Sequence, residues 1–315
     1  MKDIQVTEVF GFQIGQAEDE KGGSGCTVIL CPQGACAGVD VRGGAPATRE
    51  TDLLDPINMV ERIHAVMLSG GSAYGLDAAS GAMRYLEEQG IGHDMNVAVV
   101  PIVCGASLFD LSVGDASCRP DKEMGYQACL NSEQNHFKEG CHGAGTGASI
   151  GKILGFEKAM KSGIGGYGVQ LSDLQVAAIV AVNACGDIYD PHLHEIIGGP
   201  MVNHQILPTT QVLKQGVEMP QGNTTIGCIL TNAVLTKAQA KKIAGITHDG
   251  YARVITPVHT MSDGDTVFVM GSQQVKAMPD IVGAIAAEVM SEAILRAFKS
   301  AKAAYGLPCY QDIRG

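Results

Sequence analysis

The chain has no tryptophan and only 5% aromatic residues, which excludes a core organised around large aromatic anchors. Basic residues are also scarce. Lys and Arg number 22 against 33 Asp and Glu, a formal charge of -11, and this excludes the positive footprint needed for nucleic acid or an anionic membrane. Long apolar runs are missing too: the longest, over residues 174–185, is broken by Gln175 and Asn183 and is too short to span a bilayer. The opening MKDIQVTEVFGF has no apolar segment of a signal peptide, so cytoplasmic residence is the expectation. No Pro/Ser-rich stretch or charge run marks a linker, and the 315 residues are expected to form a single domain.

What the chain has in quantity is glycine, 41 residues, alongside 45% hydrophobic residues, which together predict a large core and a backbone with many tight turns. Several of the ten cysteines lie in apolar, strand-like runs, as buried reduced thiols would. Residues 26–31 and 35–41 read as a hairpin turning at Pro32-Gln33-Gly34. Asp55-Pro56 opens an amphipathic helix carrying Ile57, Val60, Ile63, Ala65 and Met67. A second helix is expected over 73–89, a strand over 96–103, a helix over 122–132 and a β pair over 166–171 and 174–184. Strand 224–233, helix 236–251, strand 266–270 and helix 280–304 follow. This order predicts an α/β class in which two sheets pack together under helices.

Several constellations could carry chemistry. Gly222-Asn223 directly precedes Thr224-Thr225 at the start of an apolar run, and two readings are open. One is a loop ending at a strand. The other is a self-cleaving junction, where the Thr224 hydroxyl attacks the Asn223 carbonyl and the cut frees an α-amine beside that hydroxyl. Such an amine has a pKa of about 7.7–8.0, suited to a general base at neutral pH. Met261-Ser262-Asp263-Gly264-Asp265 is either a polar turn or a carboxylate pair whose proximity drives the two pKa values apart. Asn183, inside an apolar run, is a structural amide or an oxyanion donor, and Lys152 after GAGTGASIG is a solvated lysine or a group holding a carboxylate or substrate. His192, His194 and Glu195 near Asp190, and Cys26, Cys31 and Cys36, lack the spacing of a zinc site, so no metal and no cofactor is expected.

Five ordered blocks, GVDVRGGAPATRETDLL, LSGGSAYGLDAASG, VPIVCGASLFDL, GAGTGASIGK and NTTIGCILTNA, resemble the L-aminopeptidase/D-esterase (DmpA-like) group, which includes β-aminopeptidases and nylon-oligomer hydrolases. The resemblance implies a four-layer αββα sandwich of the N-terminal-nucleophile kind, shared with ornithine acetyltransferases. It also implies a precursor cut into residues 1–223 and 224–315, and a homo-oligomer, a tetramer in this family. By that resemblance Thr224 is the nucleophile, Asn223 precedes the cut, Asn183 lies on the oxyanion side, Asp263 and Asp265 form the acidic pair and Lys152 matches a family lysine. Phe109 and Ser262 are the expected substrate-binding residues. Two departures stand out: Ala106 and Ser107 lie where aminopeptidase members carry an acid, and Phe109 lies near a tyrosine of some relatives. The expected partner is a small peptide, amino-acid amide or linear amide. A nylon-oligomer hydrolase, an acyltransferase and an uncleaved binding protein are the alternatives.

Overall fold

The computed structural model describes residues 1–314. In chain order its main elements are β1 (Gln13–Asp19), β2 (Ser24–Val41), β3 (Ile63–Ser69), α1 (Ala78–Glu88), β4 (Val103–Ser107), α2 (Lys122–Asn131), β5 (Ile164–Leu171) and β6 (Leu174–Asn183). They continue with β7 (Thr224–Ala233), α3 (Lys237–Val254), β8 (Thr266–Val275) and α4 (Pro279–Lys299). β6 shows how the layers arise. A strand sends alternate side chains to opposite faces, and on β6 Val176, Ala178, Val180 and Val182 enter a core shared with Ile243 and Val289 of the last two helices. Ala177, Ile179 and Ala181 enter a second core with Ile29, Val66 and Phe268. That middle core lies between two sheets, and a third, around Val28, Met67, Ala82 and Cys129, lies under α1 and α2. Four layers around three cores make the αββα sandwich.

The strand order of one sheet is Lys2–Ile4, β5, β6, β7, β8 and the C-terminal half of β2. The other sheet holds β1, the N-terminal half of β2, β3, β4 and the short strand Thr48–Arg49. Pairing is antiparallel except for β7 with β8 and β3 with β4. α3 opens with a capping box: Thr236 accepts from the Gln239 N–H while the Gln239 side chain accepts from the Thr236 N–H. α4 starts on Pro279 at its first position.

Three local expectations are corrected. The hairpin at Pro32-Gln33-Gly34 is a continuous strand of 18 residues with a break in pairing between Leu30 and Ala35. Proline lacks the ladder donor, so β2 bulges there and changes partners instead of reversing. The helix through Ile57 and Met67 is a loop followed by β3, with Ile57 90% exposed and every residue of Ile63–Ser69 buried. An inner strand covered on both faces is apolar at consecutive positions, and such a run has no period that separates it from a helix. In the stretch 96–103 Val99–Val100 pairs with His93–Asp94, Val97 is exposed, and the pairing with β3 begins only at the last residue, Val103. Pro101 interrupts that run, and the buried strand begins at Val103.

All ten cysteines are free thiols, with Cys26 in the outer core and Cys31 in the middle one. Among the described residues no helix is long and apolar enough to cross a membrane.

Candidate active site

The sheet itself assembles the site. Thr224 begins β7 and is the register partner of Asn183, the last residue of β6. Because β7 and β8 run parallel, the segments that enter them lie side by side, and Asn223 bridges Asp263. The Gly264 N–H donates to the Asn223 carbonyl at 2.9 Å. The Thr224 hydroxyl donates to the same carbonyl at 2.5 Å. Residues 42–45 hold the acidic turn from its other side: the Arg42 N–H donates to the Asp265 carbonyl at 3.0 Å and the Ala45 N–H to the Asp263 carbonyl at 2.8 Å.

The two carboxylates have different partners. Asp265 accepts the Thr225 N–H at 2.7 Å on one oxygen, and on the other the His259 N–H at 3.0 Å and ring Nδ1 at 2.8 Å. Asp263 accepts the Thr260 N–H at 2.7 Å. Burial, and then the charge of Asp265, hold the Asp263 carboxyl well above the usual carboxylate range, with Thr260 and Lys152 pulling the other way. The pair therefore carries a proton near neutral pH more readily than two separate aspartates would.

Asn183 is fully buried, and every polar atom of its amide is engaged. Its Oδ1 accepts from the Ser149 N–H at 3.0 Å and from Lys152 Nζ at 2.9 Å. Its Nδ2 donates to the Phe109 carbonyl at 2.8 Å and, more weakly, to the Gly222 carbonyl at 3.4 Å. In this continuous chain the amide thus stands one residue short of the Asn223 carbonyl, whose donors are Gly264 N–H and Thr224 Oγ1. Lys152 Nζ also donates to the Asn183 carbonyl at 2.8 Å. Burial pushes its ammonium down to about 8, against the pull of Cys185, Asp263 and Asp110.

A cavity of about 350 Å³ opens onto Thr224, walled by Ala45, Ala47, Ser72, Ser107, Phe109, Met261 and Ser262. Among the described residues no charged side chain lines it. Phe109, Gln221 and Gly222 separate it from a smaller cavity of about 120 Å³ that reaches Lys152, Ser149 and Asp110. Gly222 has φ 89°, and a Cβ there would stand 2.6 Å from the Phe109 ring, so only glycine lets the chain cross that ring on its way to Asn223.

The structure brings Thr224, Asn223, Asn183, Lys152, Asp263, Asp265, Phe109 and Ser262 to one place. Sequence reasoning missed the Gly264 N–H, His259, Ser149 and Asp110. Asp110 accepts the Gly71 N–H at 2.7 Å and the Ser24 hydroxyl at 2.8 Å, holding the glycine turn beneath the site, and burial raises its carboxyl to about 6. For Gly264 a signal existed: a glycine between two site carboxylates marks a backbone that passes close to something.

Comparison with known proteins identifies the family and the fold. The model of peptidase family S58 matches residues 5–308. An uncharacterized aminopeptidase of Mycobacterium leprae is 39% identical over 97% of this chain and 92% of its own length. The 6-aminohexanoate-oligomer endohydrolase of Paenarthrobacter ureafaciens is 31% identical over 92% of this chain and 84% of its own length. Among solved structures, the L-aminopeptidase D-Ala-esterase/amidase of Ochrobactrum anthropi, a variant of the Ntn-hydrolase fold, superposes with a TM-score of 0.70 at 19% identity, covering 94% of this chain and 86% of that one. With its strand-initial threonine and the family match along nearly its whole length, the chain belongs to peptidase family S58 and is an amide-bond hydrolase of the N-terminal-nucleophile fold.

Proposed function

We propose that the chain cuts itself between Asn223 and Thr224, giving residues 1–223 and 224–315, and that the exposed threonine then hydrolyses amides whose acyl side is uncharged. The observation that carries this is the double engagement of the Asn223 carbonyl, by Thr224 Oγ1 at 2.5 Å and the Gly264 N–H at 2.9 Å. In the first step Oγ1 bonds to the Asn223 carbonyl carbon, the C–N bond to Thr224 breaks, and the hydroxyl proton passes to the departing nitrogen. Asp263, with its raised carboxyl, is suited to relay that proton. Water then hydrolyses the ester, leaving an Asn223 carboxylate and a free Thr224 α-amine. With substrate that amine takes the Oγ1 proton as Oγ1 bonds to the carbonyl carbon, the Gly264 N–H with the Asn183 amide opposes the oxyanion, the substrate C–N bond breaks with the proton passing to the departing amine, and water then hydrolyses the acyl-enzyme ester. Intact mass under denaturing conditions, with N-terminal sequencing, tests the cut: two chains, one starting at Thr224, are expected, and a single chain from active protein removes it.

The uncharged walls of the larger cavity support the substrate assignment, since a free ammonium beside the scissile carbonyl would be desolvated there without a carboxylate. Ala106 is buried within β4, where it offers such an ammonium nothing. An N-acetylated aminoacyl anilide should therefore be cleaved at least about tenfold faster than its free-amine counterpart, the discrimination expected from one unpaired buried charge. Faster cleavage of the free amine would reverse the assignment and leave the nucleophile in place.

The rate of self-cleavage should be bell-shaped in pH. Lys152 holds Asn183 as an ammonium donor, and its lowered pKa means that its charge and one of its three N–H donors are lost as pH rises through about 8. The acid side follows the Asp263 carboxyl, which burial and then the charge of Asp265 raise above the usual carboxylate range. A rate still climbing at pH 9 would take Lys152 out of the machinery.

The ten free thiols support a reducing, cytoplasmic setting. The homo-tetramer rests on the family resemblance and is to be tested by light scattering, where a monomer mass would remove it.

A further inference from the structure

We propose that His259 is a positioning residue: it fixes Asp265, and Asp265 fixes the peptide that carries the nucleophile. This rests on Thr224 being that nucleophile. The contacts form an unbroken chain. His259 places both its backbone N–H, at 3.0 Å, and its ring Nδ1, at 2.8 Å, on a single oxygen of Asp265. The other oxygen accepts the Thr225 N–H at 2.7 Å. Pairing between β7 and β8 starts only at Ile226 with Thr266, so on that side the carboxylate stands in for the next ladder carbonyl and orients the peptide joining Thr224 to Thr225. Among the described residues His259 is the only basic side chain within ion-pair distance of Asp265. A left-handed backbone at His259, φ 58°, accompanies this double donation.

The ring is itself held in place. His248 of α3 meets it edge-on at 4.6 Å, and Tyr251 stacks on it at 5.9 Å. Burial pushes His248 down to about 4, so that ring is neutral, and it bonds the Asp40 carbonyl at 3.0 Å. Tyr251 donates to the Thr266 carbonyl at 3.3 Å. The other charged or titratable groups around the cluster are Asp40 and Arg42 on the β2 side and Asp263 and Lys152 on the site side. His259 Nε2 is buried without a partner, so Nδ1 is the ring atom that does the holding. This bond also fixes the Asp265 charge in the place from which, after burial, it raises the Asp263 carboxyl.

Two substitutions separate positioning from mere support. His259→Asn keeps an amide donor where Nδ1 stands, and His259→Gly removes the donor, while both residues accept a left-handed backbone. Each uncut chain is made by cell-free translation, and the fraction cut is followed by mass from pH 5 to pH 8. The glycine variant should cut at least about tenfold more slowly at pH 6, with its acid limb displaced, because an unheld Asp265 no longer acts on the raised Asp263 carboxyl from a fixed position. The asparagine variant should stay within about threefold of wild type with its limb unmoved. Wild-type behaviour in the glycine variant overturns the inference, and so does equal slowing of both variants with no movement of the limb. A wild-type chain that never cuts defeats the nucleophile assignment itself, and that outcome is distinct from either of these.

Discussion

Thr224→Ala should remain one chain on denaturing mass analysis and should lose amide hydrolysis by on the order of 10⁴-fold or more, since nucleophile and base are lost together. The neighbouring Thr225 cannot substitute. Successive side chains of a strand face opposite ways, and the buried Thr225 hydroxyl has no partner, whereas Thr224 Oγ1 lies on the Asn223 carbonyl. Folding should survive, because the deleted group makes a single hydrogen bond worth about 1 kcal/mol. Thr224→Ser keeps the attacking oxygen and should still cut. A Thr224→Ala protein that is cut at the same bond, or that hydrolyses amides at the wild-type rate, would place the nucleophile elsewhere.

How much of this was legible in the sequence depends on how local each feature is. Thr224, Asn223 and the two aspartates stood out as candidates because they lie close together in sequence at the mouths of two strands, and it was the family resemblance that attached roles to them. The β pair expected over 166–171 and 174–184 is found at Ile164–Leu171 and Leu174–Asn183, two apolar runs around a short polar turn. β2 and β3 were misread for one common reason. Both are inner strands covered on two faces, so neither alternates, and Pro32-Gln33-Gly34 looks like a reversal unless the change of partner is known. The donors on the Asn223 carbonyl were illegible for a different reason. A backbone N–H has no sequence signature, and only the parallel pairing of β7 with β8 brings Gly264 to it from 41 positions away. Asn183 shows the same limit: its residue type suggested an oxyanion donor, but its present occupation by the Phe109 carbonyl depends on a loop 74 residues upstream.

Gly264→Ala tests that illegible part directly. A Cβ at this position would stand 2.9 Å from Thr224 Oγ1 and 3.1 Å from both Thr224 Cγ2 and the Ala45 carbonyl, so something has to move. The turn has little freedom to do so, because Ala45 and Arg42 hold the carbonyls on either side of Gly264 and Asp263 is tied to Thr260. What gives way is the threonine side chain or the 2.9 Å bond from Gly264 to the Asn223 carbonyl. Displacing a nucleophile by about 1 Å costs roughly 10²-fold, and losing an oxyanion donor costs about 10²–10³-fold, so self-cleavage should slow by at least about two orders of magnitude. Backbone strain does not explain such a loss, since Gly264 is not among the residues of positive φ and alanine fits its conformation. The melting midpoint should therefore stay near that of wild type while the half-time of cutting lengthens. A wild-type half-time in Gly264→Ala would mean that the Asn223 carbonyl is polarised by some other group and that the space beside Thr224 is wider than this geometry allows.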